Sequence, residues 1–251
     1  MSIKIIPLHW GDAEITDIQK VLESVINIMD TYFESPINNN ITVIHDQTNG
    51  PMVLYARGKQ GEYQVLLSSK DRFWAQYTYQ FSHEYCHIRT NYIGGNAKTK
   101  WFEETICELA SVFTLRRMSE IWKTSPPYEN WSDYSSKLYN YADELIKSED
   151  RNLPEGVEFS EWFKENVGDL ENDRYMRKVN ATIANKLLPI FEVNTKLWLA
   201  VTYLNTWVIT DTDDIYQLFD NWLHSVPNEL KPMVNILASE FGVKEWNNHD
   251  N

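Results

Sequence analysis

Apolar residues recur along this chain with two different periods, and the switch between them sets its expected architecture. Ser2 to Leu8 reads as a strand. From Asp12 to Glu34 the residues Ile15, Ile18, Val21, Leu22, Val25, Ile28, Met29, Tyr32 and Phe33 fall three or four apart, the stripe of an amphipathic helix, which Ser35-Pro36 ends. Ile41 to His45 is a short β-branched strand. After the Asn49-Gly50-Pro51 turn come two extended runs, Met52 to Arg57 and Tyr63 to Leu67, joined as a hairpin by Gly58-Lys59-Gln60-Gly61.

Beyond this point the helical period takes over. Trp74, Tyr77, Phe81, Tyr85, Ile88 and Tyr92 give one helix a wide apolar face, and a second runs from about Thr99 to Lys123, stopped by Ser125-Pro126-Pro127. Asp133 to Ile146, Ser160 to Val167, Asp173 to Ile190, Asn194 to Ile209, Asp213 to His224 and Pro227 to Phe241 all read as helices. Within them Leu197 to Leu204 reads as core packing. The expected fold is therefore α+β: a small N-terminal mixed sheet with helices over residues 1–125, then an all-helical lobe over 126–251. A cleft between two such lobes is a usual place for a pocket.

The chemistry concentrates in Phe81-Ser82-His83-Glu84-Tyr85-Cys86-His87-Ile88. Residues four apart on a helix lie one above the other, so the His83 and His87 imidazoles can converge on one metal ion. Glu84 places a carboxylate beside that ion, where a general base would act on a bound water. This is the helix motif of zinc metallopeptidases. On the next helix, Trp101-Phe102-Glu103-Glu104-Thr105-Ile106-Cys107-Glu108 carries Glu104 and Glu108 one turn apart. A catalytic site takes three protein ligands plus water, and Glu104 could be the third. Cys86 lies inside the motif but points away from the His83/His87 ridge, as a packing thiol. His45, on a strand beside Asp46, reads as a surface or turn residue.

Phe73 to Ser111 resembles the gluzincin clan of zincin metallopeptidases, which includes the thermolysin-like enzymes and a group of aminopeptidases. The run Trp101-Phe102-Glu103-Glu104 is similar to the clan's Trp-Leu-Asn-Glu, whose last residue is the ligand, and this favours Glu104 over Glu103. The resemblance implies that Glu108 accepts the outer N–H of a ligand histidine, fixing its tautomer. It implies a zincin-like catalytic lobe, with the strand Met52 to Arg57 at the sheet edge, where its free backbone groups would pair with an extended substrate. The spacing from His87 to Glu104 is slightly shorter than usual in the clan. The Gly94-Gly95 pair suits the tight reversal this requires.

Composition narrows the function classes. The chain has 251 residues, 43% of them hydrophobic and 14% aromatic, enough for a large buried core. A formal net charge of −13 repels nucleic acid and anionic membrane alike. No stretch approaches a membrane span and no signal-peptide core is visible, so the expected location is cytoplasmic, with Cys86 and Cys107 as reduced thiols.

The expected activity is zinc-dependent hydrolysis of peptide bonds in a peptide or protein substrate. His83, His87 and Glu104 would hold Zn²⁺, and Glu84 would take the proton of the attacking water and return it to the leaving amine. The aminopeptidase's glycine-rich exomotif is not evident, which leans toward an endopeptidase. Oxyanion stabilisation stays open among Tyr139, Tyr141, Tyr175, Tyr203, Arg174 and His224. The alternative is a catalytically silent or partner-triggered zincin-like module that binds or regulates.

Overall fold

The computed structural model describes residues 1–34, 36–95 and 97–243. It is a mixed α+β chain, in which four short strands, with one helix between the first two, are followed by helices to the end of the described residues. Strands β1 (Ile3–Ile5), β2 (Ile41–His45), β3 (Met52–Val53) and β4 (Tyr63–Leu67) form one sheet in the order β1-β2-β4-β3. The first three in that order run parallel and β3 is antiparallel to β4, so the sheet is mixed, with β3 at an edge. The ladder of β3 stops at Val53, short of the run predicted to Arg57. Beyond it the backbone pairs with the facing strand through Leu54 N–H to Gln64 O and Gly58 N–H to Glu62 O, both 2.9 Å. The hairpin turn closes at Gly61, whose φ of 79° favours glycine.

Helix α1 (Ile15–Phe33) has its predicted stripe buried, with Ile18, Val21, Leu22 and Val25 fully so. Glu34 ends it in the left-handed conformation, donating its N–H to Asp30 O. The Ser35 half of the predicted stop lies outside the described residues. α1 packs on α2 (Trp74–Arg89), where the Tyr85 hydroxyl donates to Asp30 at 2.5 Å. α2 is inside the protein, as its aromatic face requires: Tyr77, Phe81 and Tyr85 have no exposed surface. Each such side chain contributes on the order of 1.5–3 kcal/mol by leaving water, so the position of α2 is strongly determined.

Helix α3 (Lys100–Trp122) lies against α2 on one side and against α4 (Ser135–Lys147) and α6 (Arg177–Val193) on the other. It is buried nearly all round, which fits its lack of a polar stripe. One buried cluster takes in residues on both sides of position 125, from Ile5 to Val243. Trp198 joins the two sides by touching Phe33, Phe113 and Phe191. Around these pack α5 (Phe159–Asn172), α7 (Lys196–Val201), α8 (Ile215–Ser225) and α9 (Lys231–Glu240). No helix among the described residues is long and apolar enough to cross a membrane.

The Leu197 to Leu204 segment is core, as expected, but the helix predicted to Ile209 ends at Val201. Side-chain amides take over its carbonyls, since Asn91 Nδ2 donates to Thr202 O at 2.7 Å and to Leu204 O at 3.1 Å. The chain then turns through Asn205, which has a φ of 59°. Asparagine tolerates that conformation better than most residues.

Candidate functional site

Helical period puts His83 and His87 on one ridge of α2, with ring centroids 5.0 Å apart. Packing of α3 across that ridge brings Glu104 between them. Its Oε2 lies 3.4 Å from His83 Nε2 and 3.6 Å from His87 Nε2. Each of these two contacts is close to the roughly 3.3–3.4 Å that separates a pair of ligand atoms on a tetrahedral ion with bonds of about 2.0–2.1 Å. Among the described residues, the group of His, Cys, Asp and Glu side chains whose ligand atoms all lie within 4.8 Å of one another is His83, His87 and Cys107, and this cluster could hold a metal ion.

Cys107 and Glu104 differ in their access to solvent. Glu104 lines a cleft of about 730 Å³ together with His83, Glu84 and His87. Cys107 is fully buried, and burial together with its Cys86 neighbour pushes its thiol well above the ordinary range. Cys86 packs against α3 beside Cys107, with its thiol toward Ile106 O at 3.9 Å.

The surroundings are unusual for a protein interior. Seven side chains of Asp, Glu, His, Lys and Arg are buried among the described residues: Glu84, His87, Arg89, Lys100, Glu103, Glu108 and Arg151. All but Arg89 line this one cleft. Burying charge costs free energy unless it is paired, so such a concentration marks a place where charge is used.

Each of these groups has identifiable partners. Glu103 Oε1 lies 2.7 Å from His87 Nδ1, and its other oxygen accepts from Lys100 Nζ at 3.2 Å and Asn205 Nδ2 at 2.9 Å. Burial works against charge on His87, yet its contacts with Glu103 and Glu104 outweigh this and hold its pKa well above the ordinary value. Burial would raise Glu104, but His83 and His87 outweigh it and keep that carboxyl well below the usual range. Glu103 is lowered in the same manner, chiefly by His87 against the cost of burial.

Glu108 takes a different set of partners from the one the resemblance implies. It comes within 3.9 Å of His83 Nδ1, longer than a hydrogen bond. Its carboxylate is occupied by the Tyr79 hydroxyl, at 2.7 and 2.6 Å, and by the Arg151 guanidinium. The residue that does hold a histidine Nδ1 is Glu103, next to Glu104 on α3.

Glu84 is 3% exposed, and burial raises its carboxyl despite the two histidines, which pull it down. The Val53 N–H, on the edge strand β3, faces it. Tyr92 also lines the cleft, and its hydroxyl donates to Leu54 O at 2.7 Å. Of the six oxyanion candidates, Arg174 and Tyr175 line the cleft, while Tyr139, Tyr141, Tyr203 and His224 do not. His45 lies elsewhere, edge-on to Trp10 at 5.2 Å.

Sequence reading passed over Glu103 in favour of Glu104 and gave no role to Tyr79, Arg151 or Asn205. Two left a signal, because Tyr79 is one turn before His83 on the same ridge and Glu103 precedes the candidate ligand. Arg151 and Asn205 come from distant segments and left none. No protein-family model matches this chain, and no curated protein or solved structure matches it either.

Proposed function

We propose that this chain is a zinc-dependent peptidase of gluzincin type, with a zincin-like arrangement of α2, α3 and the edge strand β3. The observation that carries this reading is the position of Glu104 Oε2, at 3.4 and 3.6 Å from the facing nitrogens of His83 and His87. Two imidazoles and a carboxylate are a borderline-hard set that suits Zn²⁺, and they come from rigid helices rather than loops. His83, His87 and Glu104 would hold the ion. When bound, zinc lowers the pKa of a coordinated water toward neutrality and polarises a substrate carbonyl.

The chain's own residues supply the rest. Glu84 borders the same cleft and is held in a low-dielectric setting that raises its proton affinity, as suits a general base. It takes the proton of the attacking water and delivers it to the leaving nitrogen as the peptide bond breaks. Glu103 fixes the His87 ring through Nδ1, so that Nε2 is the atom presented to the metal. Backbone groups of β3 offer a rail for an extended peptide, with Val53 beside Glu84.

A His83, His87 and Cys107 set is the competing reading for the metal. It would place the ion on the buried side of the histidines, away from the cleft and from substrate. Glu104 lines the cleft together with His83 and His87, so an ion held by these three would be open to water and substrate. Metal analysis of the purified protein, followed by X-ray absorption, separates the two. About one zinc per chain without a sulfur neighbour supports Glu104, and a sulfur neighbour supports Cys107.

A further inference from the structure

On a chain of net charge −13, the cleft wall formed by the segment entering α6 is cationic. Arg174, Arg177 and Lys178 line it, with Arg151 and Lys100 deeper in. Most of these charges are already matched: Arg151 by Glu108, Lys100 by Glu103 at 3.2 Å and Lys178 by Asp150 at 2.6 Å. Arg174 and Arg177 have no carboxylate within ion-pair distance among the described residues. Arg174 is half-buried and anchored, donating Nη1 to Gly95 O at 2.9 Å, in the connection between α2 and α3. Its ring neighbour is Tyr175, at 4.8 Å from the guanidinium carbon. It is also near enough to Glu104 to feel that charge.

An arginine fixed by a backbone carbonyl, partly desolvated and left without an acid, is suited to a carboxylate brought by a ligand. We propose that Arg174, assisted by Arg177, receives a carboxylate of the peptide substrate, so that the cleft selects acidic peptides over neutral ones. This inference rests on the peptidase reading. The carboxylate can come from a Glu or Asp side chain near the scissile bond or from a free C-terminus. The body of the protein repels such peptides while the wall attracts them, so the selection is electrostatic and salt-sensitive.

The test uses fluorescent peptide pairs differing by Glu against Gln at one position, and a second pair differing by a free against an amidated C-terminus. Binding is read by polarisation on the zinc-loaded Glu84→Gln protein, and cleavage on the wild type. At least about tenfold tighter binding of one acidic member is expected, shrinking with added salt and falling toward equality in the same protein also carrying Arg174→Gln and Arg177→Gln. The side-chain and C-terminal pairs tell the two carboxylate sources apart. Equal binding of acidic and neutral peptides, binding of neither, or a preference that survives both arginine substitutions would overturn the proposal. If the binding preference is present but the wild type cuts no peptide, the peptidase reading falls and the carboxylate site stands. The peptide pairs and the salt series need no arginine variant, so the lack of an acidic preference overturns the proposal even if those variants fold poorly.

Discussion

His87 Nδ1 and Glu103 Oε1 are 2.7 Å apart, a contact between two helices in which a buried carboxylate settles which nitrogen of the imidazole faces the cleft. Because Glu103 is also gripped by Lys100 and Asn205, it cannot swing away without leaving several polar groups unpaired. Glu103→Ala should therefore weaken zinc binding by about 10- to 100-fold, and Glu108→Ala by less, since Glu108 lies 3.9 Å from His83. Competition with a zinc-chelating dye measures both. A larger loss for Glu108→Ala would assign the orienting role to that residue.

Glu104→Ala should be more severe than either. It removes a proposed ligand, and metal content after dialysis should fall close to zero. Cys107→Ser should retain about one zinc per chain. The reverse pattern, with Glu104→Ala loaded and Cys107→Ser empty, would move the third ligand to the thiol.

Glu84→Gln keeps the shape of the side chain and removes the base. Zinc content and melting temperature should stay close to wild type, while cleavage of a broad peptide library falls by at least about a hundredfold. If wild type and variant both hold zinc and neither cuts, the regulatory alternative gains the ground that the peptidase loses.

The pH dependence of the metal-free protein follows from the same contacts. His87 is raised above its ordinary 6.5, so its pairing contributes stability that is fully present below 6.5 and is lost as pH rises through its folded value. Glu104 is lowered below its ordinary 4.5, so its contribution is present above 4.5 and is lost as pH falls through its folded value. Both act together between 4.5 and 6.5. The gap in melting temperature between metal-free wild type and Glu104→Gln should be widest in that window and should narrow on either side. A gap that is flat with pH would show that these pairs do not control stability.

Trp198 links the sheet side of the molecule to the C-terminal helices through Phe33, Phe113 and Phe191. Trp198→Ala should cost about 3–5 kcal/mol, and the two sides should unfold in a single transition. Two separate transitions by circular dichroism and tryptophan fluorescence would mean that residues 1–125 and 126–251 behave as independent units.

Helix period and side-chain chemistry made the centre of the site readable from sequence. A four-residue spacing puts His83 and His87 on one ridge whatever the rest of the fold does, and the burial of α2 follows from Tyr77, Phe81 and Tyr85. The order of strands and helices was legible for the same reason, since each element carries its own period. Strand β3 was read too long, because apolar character continues past Val53 where the ladder has already ended. The helix of α7 was also read too long, because nothing local reveals that Asn91 would capture the carbonyls of Thr202 and Leu204.

Tertiary structure alone decided which acids meet which histidines. Glu103, Glu104 and Glu108 are equivalent as residue types on one helix, and only the crossing of α3 over α2 turns Glu103 to His87 and leaves Glu108 to Tyr79 and Arg151. The same crossing brings Cys107 near the histidines. Asn205 reaches Glu103 from a turn far along the chain, and Arg174 reaches the loop carbonyl of Gly95. Such contacts depend on where whole helices settle as the core excludes water, and local periodicity carries no record of that.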